Sequence, residues 1–178
     1  RQAALVKLAR TGITGRMWRL LQSSYESVRR KIHPAVAPEA TNLTLTYELM
    51  RGLPQGSNES PVIFDVFIED LIQELNKYKA GVLLKTRRIS SLLFADDIVL
   101  IAGTEASLRL ALVVVDVFLR KWRLLANPSP KSAIMAVTRT RWQQREAFRI
   151  GTHCLRGVET YLYLGITLQN ELGWSTHV

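Results

Sequence analysis

Residues 91–103 read SLLFADDIVLIAG, with two adjacent carboxylates inside an otherwise apolar run. No other stretch limits the possible folds as tightly. Burying one ionised carboxylate is costly, and two side by side also repel each other. The apolar stretches 92–94 and 98–101 are too short for helices and apolar on both faces. They predict two buried antiparallel strands joined by a tight turn around Ala95 and Asp96, whose tip pushes Asp96 and Asp97 toward a cleft. Two close carboxylates on rigid strands suit a hard divalent cation, which offsets both their repulsion and their desolvation. Two-metal phosphoryl transfer uses such a pair. The dipeptide taken alone also fits an ordinary aspartate turn held by local hydrogen bonds.

The flanking sequence supplies helices and more strands. The chain opens on Arg1 inside what already has helical character, so the N-terminus is expected to be a truncation. Met17, Trp18, Leu21, Tyr25 and Val28 recur at helical spacing and predict one helix over 14–32, ended by His33-Pro34 and Ala37-Pro38. Residues 42–49, NLTLTYEL, alternate as a strand does. The loop RGLPQGS follows, and then a helix with Phe64, Phe67, Ile68, Leu71, Leu75 and Tyr78 on its apolar face. Ser57 or Asn58 is expected to cap that helix, the cap being preferred for Ser57 over a phosphate contact, with Glu59 favouring the first turn's dipole and Pro61 tolerated there. Strands are predicted at 82–84, 89–94 and 98–102. Thr104, backed by Glu105, should cap a long helix whose stripe is Leu108, Ala111, Leu112, Val115, Phe118, Leu119, Trp122 and Leu125. Asn127-Pro128-Ser129-Pro130 should stop it. A short strand at 133–137, a polar loop or short helix at 138–146 and strands at 148–155 and 161–168 complete the pattern. No repeat, low-complexity tract or linker divides the chain, so a single α+β domain is expected, a small antiparallel β-sheet backed by helices.

Composition narrows the partners. With 178 residues, 47% of them hydrophobic, the chain is long enough and apolar enough for a sizeable core. No apolar run approaches the ~18 residues of a membrane span. No signal peptide or other targeting segment is recognisable in these residues. The one cysteine, Cys154, excludes an internal disulfide, and His33, His153 and His177 lack the spacing of a zinc site. Lys and Arg number 24 against 15 Asp and Glu, a net of +9. The surplus lies in small groups: Arg29, Arg30 and Lys31; Lys85, Arg87 and Arg88; Arg120, Lys121 and Arg123; Arg139, Arg141 and Arg145. Such groups suit a protein that follows a phosphate backbone, and equally an ordinary solvated surface.

Four motifs in order carry a family resemblance. RGLPQGSNESPVIFDVFIEDL, residues 51–71, resembles the Pro-Gln-Gly loop and following helix of reverse transcriptases. FADD resembles their aromatic-x-Asp-Asp catalytic turn. SLRLALVVVDVFLRKWRLLAN with the following KSAIM resembles the next motif, and YLYLGI resembles the primer-gripping hairpin. The ending, LQNELGWSTHV, is similar to the approach to the thumb in non-LTR (LINE-type) retroelement enzymes. Group II intron maturases and telomerase share this core but are less similar at that end. An RNA-directed RNA polymerase shares the palm, but the Pro-Gln-Gly loop and the aromatic-x-Asp-Asp turn argue against it.

The resemblance implies part of a right-hand polymerase palm. Residues 1–57 correspond to the fingers/palm connection and Pro-Gln-Gly loop, 58–147 to the palm with the FADD hairpin and long helix, and 148–178 to the primer-grip-like hairpin and start of the thumb. It implies RNA-templated DNA synthesis with an RNA template, a DNA primer and dNTPs, and two Mg2+ ions, or Mn2+. Asp96 and Asp97 are the implied metal ligands, and Lys131 the lysine that protonates departing pyrophosphate. Gly52, Pro54, Gln55, Gly56, Phe94 and Ala95 are implied to contact nucleotide and template, the glycines because a close backbone leaves no room for a Cβ. Tyr161, Leu162, Tyr163, Leu164 and Gly165 are the implied primer grip, with core packing the simpler role for Leu162 and Leu164. An intracellular place, nucleus or cytoplasm, and no membrane partner are expected.

The departures matter as much. No aspartate precedes Gln55, whereas the family carries its first catalytic aspartate upstream of that loop. Asn58 and Glu59 stand where apolar residues or proline are usual, and the run leading to Lys131 is one residue longer than usual. A palm fragment from a larger polyprotein, with further parts upstream and downstream, is the expectation. A non-catalytic remnant that binds nucleic acid or protein is the alternative.

Overall fold

The computed structural model describes residues 2–26, 29–32, 45–48, 52–54, 56–127, 130–138 and 147–171. Its helices are α1 (Gln2–Arg10), α2 (Gly15–Glu26), α3 (Ser60–Lys77) and α4 (Glu105–Trp122). Its strands are β1 (Arg29–Ile32), β2 (Leu45–Glu48), β3 (Val82–Leu84), β4 (Arg87–Ile89), β5 (Ser91–Phe94), β6 (Asp97–Leu100), β7 (Ala133–Ile134), β8 (Phe148–Ile150), β9 (His153–Gly157), β10 (Thr160–Tyr163) and β11 (Ile166–Gln169). The α+β expectation holds. The expected single antiparallel sheet does not: the described strands form four two-stranded sheets and one of three strands, order β7-β9-β8. In that sheet β7 runs parallel to β9. The chain divides into two compact units. One unit takes Arg1–Ile72 with Leu93–Ile98, and the other Gln73–Leu92 with Val99–Val178.

In the first unit the core is Ala4, Leu5, Leu8, Tyr25 and Ile63, with Ile13, Leu21, Leu53, Val66 and Phe67 packed against it. A lysine sits at its edge. Lys7 is only 7% exposed, and its ammonium lies 2.7 Å from the Asp70 carboxylate, donates to the Phe67 carbonyl at 2.5 Å and stands 4.3 Å from the centre of the Phe67 ring. Those three contacts replace the water that a buried ammonium loses, and they fasten α1 to α3. The helix expected over 14–32 is shorter. It stops at Glu26, and the Arg-rich segment beyond it is β1, paired antiparallel with β2 in the register Arg29↔Glu48 to Ile32↔Leu45. Strand pairing outweighed a helical period that rested there on Val28, which lies outside the described residues. Met17, at 58% exposed, also leaves the expected stripe.

The second unit is built on α4. Thr104 caps it as expected, its hydroxyl oxygen accepting from the Ser107 amide at 3.1 Å. Ala111, Leu112, Val114, Val115, Phe118 and Leu119 are buried, while Leu125, at 95% exposed, is outside both helix and core. Phe148, Ile150, Leu155 and Ile134 are also buried. Arg109 lies 4.2 Å over the Phe148 ring and donates to the Ala147 carbonyl at 3.1 Å. The expected strand over 89–94 is broken at Ser90, which is buried, and that over 148–155 is the hairpin β8–β9. The segment 139–146 lies outside the described residues.

Three helices end by the same device. After α1, the amides of Gly12 and Ile13 bond back to the carbonyls of Ala9 and Leu8. After α3, Lys79 bonds to Asn76 and Ala80 to Leu75; after α4, Arg123 bonds to Arg120 and Leu124 to Leu119. This is a Schellman closure, with one residue at positive φ. Gly12 takes that place at +98°, but Lys79 and Arg123 take it at +52° and +55°, where a Cβ is unfavourable. Gly81 follows at φ +104°, and a Cβ there would stand 2.3 Å from the Ile89 carbonyl oxygen. Gly81→Ala is therefore expected to destabilise the protein by more than about 2 kcal/mol, combining a forbidden φ with a backbone clash. Lys79→Gly is expected to stabilise it by about 0.5–1 kcal/mol. Urea midpoints of the two variants check both signs.

Candidate active site

The paired aspartates lie where an apolar strand pair turns. β5 and β6 form a two-stranded sheet, joined by Ala95 and Asp96 alone, so they run antiparallel. Ala95 has φ +49°, a left-handed turn position held by a residue with a Cβ. Asp96, in the turn, and Asp97, the first residue of β6, are both exposed. Neither carboxylate has a hydrogen bond or ion pair to another described residue. The expectation of buried flanking strands fails at two places: Leu92 is 48% exposed and Phe94 60%. β5 alternates and turns Leu92 and Phe94 toward solvent, while Ile98, Val99 and Leu100 of β6 are half-buried.

The Pro-Gln-Gly loop belongs to the same unit as the turn. Gln55 lies outside the described residues. Gly52 and Gly56 have φ +75° and +83°, and a Cβ at either would meet nothing within 4 Å. Positive φ at both positions is by itself a reason for glycine in this chain. Pro54 is the anchor of the loop. Its carbonyl accepts from the Ser60 hydroxyl at 2.8 Å and from the Ser57 amide at 3.5 Å. Ser57 does not cap α3. The first helical bond runs from the Ile63 amide to the Glu59 carbonyl at 3.0 Å, which makes Glu59 the cap position. The Ser57 hydroxyl donates instead to the Glu59 carboxylate and lies 3.5 Å from the Tyr25 hydroxyl. That bond from Ser57, with the backbone amide of Glu59 itself, holds the Glu59 carboxyl below its ordinary value.

Lys131 and the hairpin β10–β11 belong to the other unit. Lys131 is exposed, and its carbonyl accepts from the Tyr161 hydroxyl at 2.6 Å. The Ser132 hydroxyl closes the same loop onto the Asn127 carbonyl at 2.6 Å. Sequence reasoning chose both Lys131 and Tyr161 but missed their bond, since nothing in the intervening residues signals it. The hairpin pairs Tyr161 with Leu168, Leu162 with Thr167 and Tyr163 with Ile166, and turns through Leu164 and Gly165 at φ +51° and +81°. Leu162 is 67% exposed and Leu164 49%. Their expected core packing is thus corrected: alternation along β10 turns Leu162 away from the half-buried Tyr161 and Tyr163, and Leu164 lies in the exposed turn.

The donor chemistry of the turn, two hard carboxylate oxygens, fits Mg2+ or Mn2+. Among the described residues no group of three or more His, Cys, Asp or Glu stands together to complete a ligand shell.

Two substitutions separate residues that serve the fold from those that do not. Asp96→Asn with Asp97→Asn is expected to leave stability within about 0.5 kcal/mol, as exposed and unpaired positions do. Tyr161→Phe, which deletes the bond to Lys131, is expected to cost about 0.5–1.5 kcal/mol. Denaturant midpoints at neutral pH without divalent metal decide; a clearly lowered midpoint in the double variant means these carboxylates hold the turn.

Residues 15–168 match the family described as reverse transcriptase (RNA-dependent DNA polymerase). Over 129 residues the chain is 27% identical to the retrovirus-related Pol polyprotein from type-1 retrotransposable element R2 of Popillia japonica. The aligned part is 68% of this chain and 21% of that polyprotein, so the chain spans about a fifth of its relative's length. The matched segment contains the Pro-Gln-Gly loop, the FADD hairpin, Lys131 and β10–β11. A match over most of its length, with the paired aspartates at the tip of their hairpin, makes this chain a member of the reverse transcriptase family.

Proposed function

We propose that this chain is the aspartate-bearing palm portion of a retroelement polyprotein that copies RNA into DNA. The observation that carries the reading is the FADD turn, two exposed carboxylates on a two-residue hairpin inside the family-matched segment. Asp96 and Asp97 hold Mg2+, or Mn2+ in its place, two ions being used in the complete enzyme. A divalent ion held there would activate the primer 3′-hydroxyl and offset charge on the leaving pyrophosphate.

The chain's own residues bind and orient. Phe94 and Ala95 support the primer end and the incoming dNTP. Gly52, Pro54, Gln55 and Gly56 lie against nucleotide and RNA template, with the Ser60–Pro54 bond holding the loop's shape. Lys131 carries a proton to the departing pyrophosphate, and the Tyr161 hydroxyl fixes the backbone from which that lysine extends. Tyr161, Leu162, Tyr163, Leu164 and Gly165 hold the DNA primer; the exposure of Leu162 and Leu164 supports a surface role rather than a core one.

A second reading is a non-catalytic segment that binds nucleic acid or protein. It is favoured by the absence of any aspartate before Gln55 and of a three-ligand cluster among the described residues.

Primer extension on an RNA template tests both. The 178-residue chain with Mg2+ and dNTPs is expected to add nothing, because one carboxylate of the shared metal site has no counterpart in it. Metal-dependent extension by this chain, lost in Asp96→Asn, overturns that expectation. A longer chain that brings an upstream aspartate is expected to extend the primer and to lose extension with Asp96→Asn. Silence of that longer chain favours the second reading.

A further inference from the structure

The hairpin β3–β4 has no role in the reading above, and its construction is unusual. Its eight residues, VLLKTRRI, carry three positive charges and no negative one. The side chains of Lys85 and Arg87 are exposed and make no hydrogen bond or ion pair to another described residue. The register sets Leu83 opposite Arg88 and Leu84 opposite Arg87. Val82, Leu83 and Leu84 are themselves 38%, 60% and 61% exposed, so the hairpin offers both of its faces.

The base, in contrast, is firmly held. Gly81 is buried against the backbone of Ile89 and Ser90, the Arg88 guanidinium donates to the Gly81 carbonyl at 3.2 Å, and the Ser90 carbonyl accepts from the Ile101 amide at 2.9 Å. A fixed base and an open, cationic tip make a rigid arm.

Lys85 opens the two-residue turn at φ +53°. Asn or Gly meets that position with the least strain. A lysine there keeps a charge at the tip against the local preference.

We infer that β3–β4 is a docking arm for the phosphate backbone of an RNA–DNA hybrid duplex, with Lys85 and Arg87 as its phosphate contacts. The inference rests on the nucleic-acid reading above. Charge complementarity selects a polyanion. The arm has no aromatic residue on which an unpaired base could stack, which selects a duplex over a single strand. Arg88, tied to Gly81, holds the arm's shape.

The test compares Lys85→Asn/Arg87→Gln with Arg149→Gln/Arg156→Gln, which removes two exposed charges from β8 and β9. Binding of the 178-residue chain to an RNA–DNA hybrid is measured across a salt series, with single-stranded RNA of the same sequence in a parallel arm. The arm variant is expected to bind the hybrid more weakly, with a log–log salt slope shallower by roughly 1–2 units. Its urea midpoint is expected to stay level or rise, since asparagine relieves the turn. The β8–β9 variant is expected to keep a slope near that of the unaltered chain. An unchanged slope in the arm variant, an equal loss in the β8–β9 variant, or an equal loss on single-stranded RNA each overturns the arm alone. Absence of salt-dependent hybrid binding by the unaltered chain overturns the arm together with nucleic-acid binding by this chain.

Discussion

Three residues set how the chain leaves α3 and enters β3. Lys79 turns the backbone into the left-handed region, Ala80 closes the helix onto Leu75, and Gly81 slips beneath Ile89 with no side chain in the way. Ala80 and Leu75 are both buried, so the closure has an apolar seal as well as hydrogen bonds. From there the chain can only enter β3, return through β4 and, after the buried Ser90, begin the strand that leads to the paired aspartates. A side chain larger than hydrogen at Gly81 would displace Ile89 and Ser90, and with them the start of β5.

Lys7 does for the first unit what Gly81 does for the second, by charge rather than by size. A buried ammonium is tolerated only when its donors are matched. Here a carboxylate, a backbone carbonyl and an aromatic face match them, all from two residues of α3. The Trp18 indole adds a bond from α2 to the Leu5 carbonyl at 3.3 Å. The loop that carries Pro54 leaves from this packed set, through the half-buried Leu53. The positions of the Pro-Gln-Gly loop thus follow from contacts that sequence patterns do not record.

What could be foreseen was local. The Thr104-Glu105 start of α4, the turn at Ala95-Asp96 and the strand β3 each depend on neighbours in sequence, and each was legible there. Helix ends were not, because Lys79 and Arg123 occupy positions where glycine is the usual sign. β1 was mistaken for the end of a helix, since its fate depends on pairing with Leu45–Glu48, far along the chain. The apolar strands around the aspartates were expected to be buried on both faces, but a two-stranded sheet has solvent on at least one side wherever no helix covers it. Tyr161 and Lys131 were each chosen singly; the bond between them depends on the fold bringing two strands' ends together.

The parallel contact between β7 and β9 has a bearing on how the protein folds. β8–β9 and β10–β11 are hairpins whose partners are adjacent in sequence, and such pairs assemble in about 1–10 μs. β7 reaches β9 only by spanning β8 and the residues before it, so its two-residue contact closes the longest loop in the sheet. By loop length, the Val158–Ile134 bond at 2.8 Å is expected to be the last link of that sheet to form. Lys131 stands immediately before this late strand, so the segment that carries it gains its final position only when the rest of the sheet is complete.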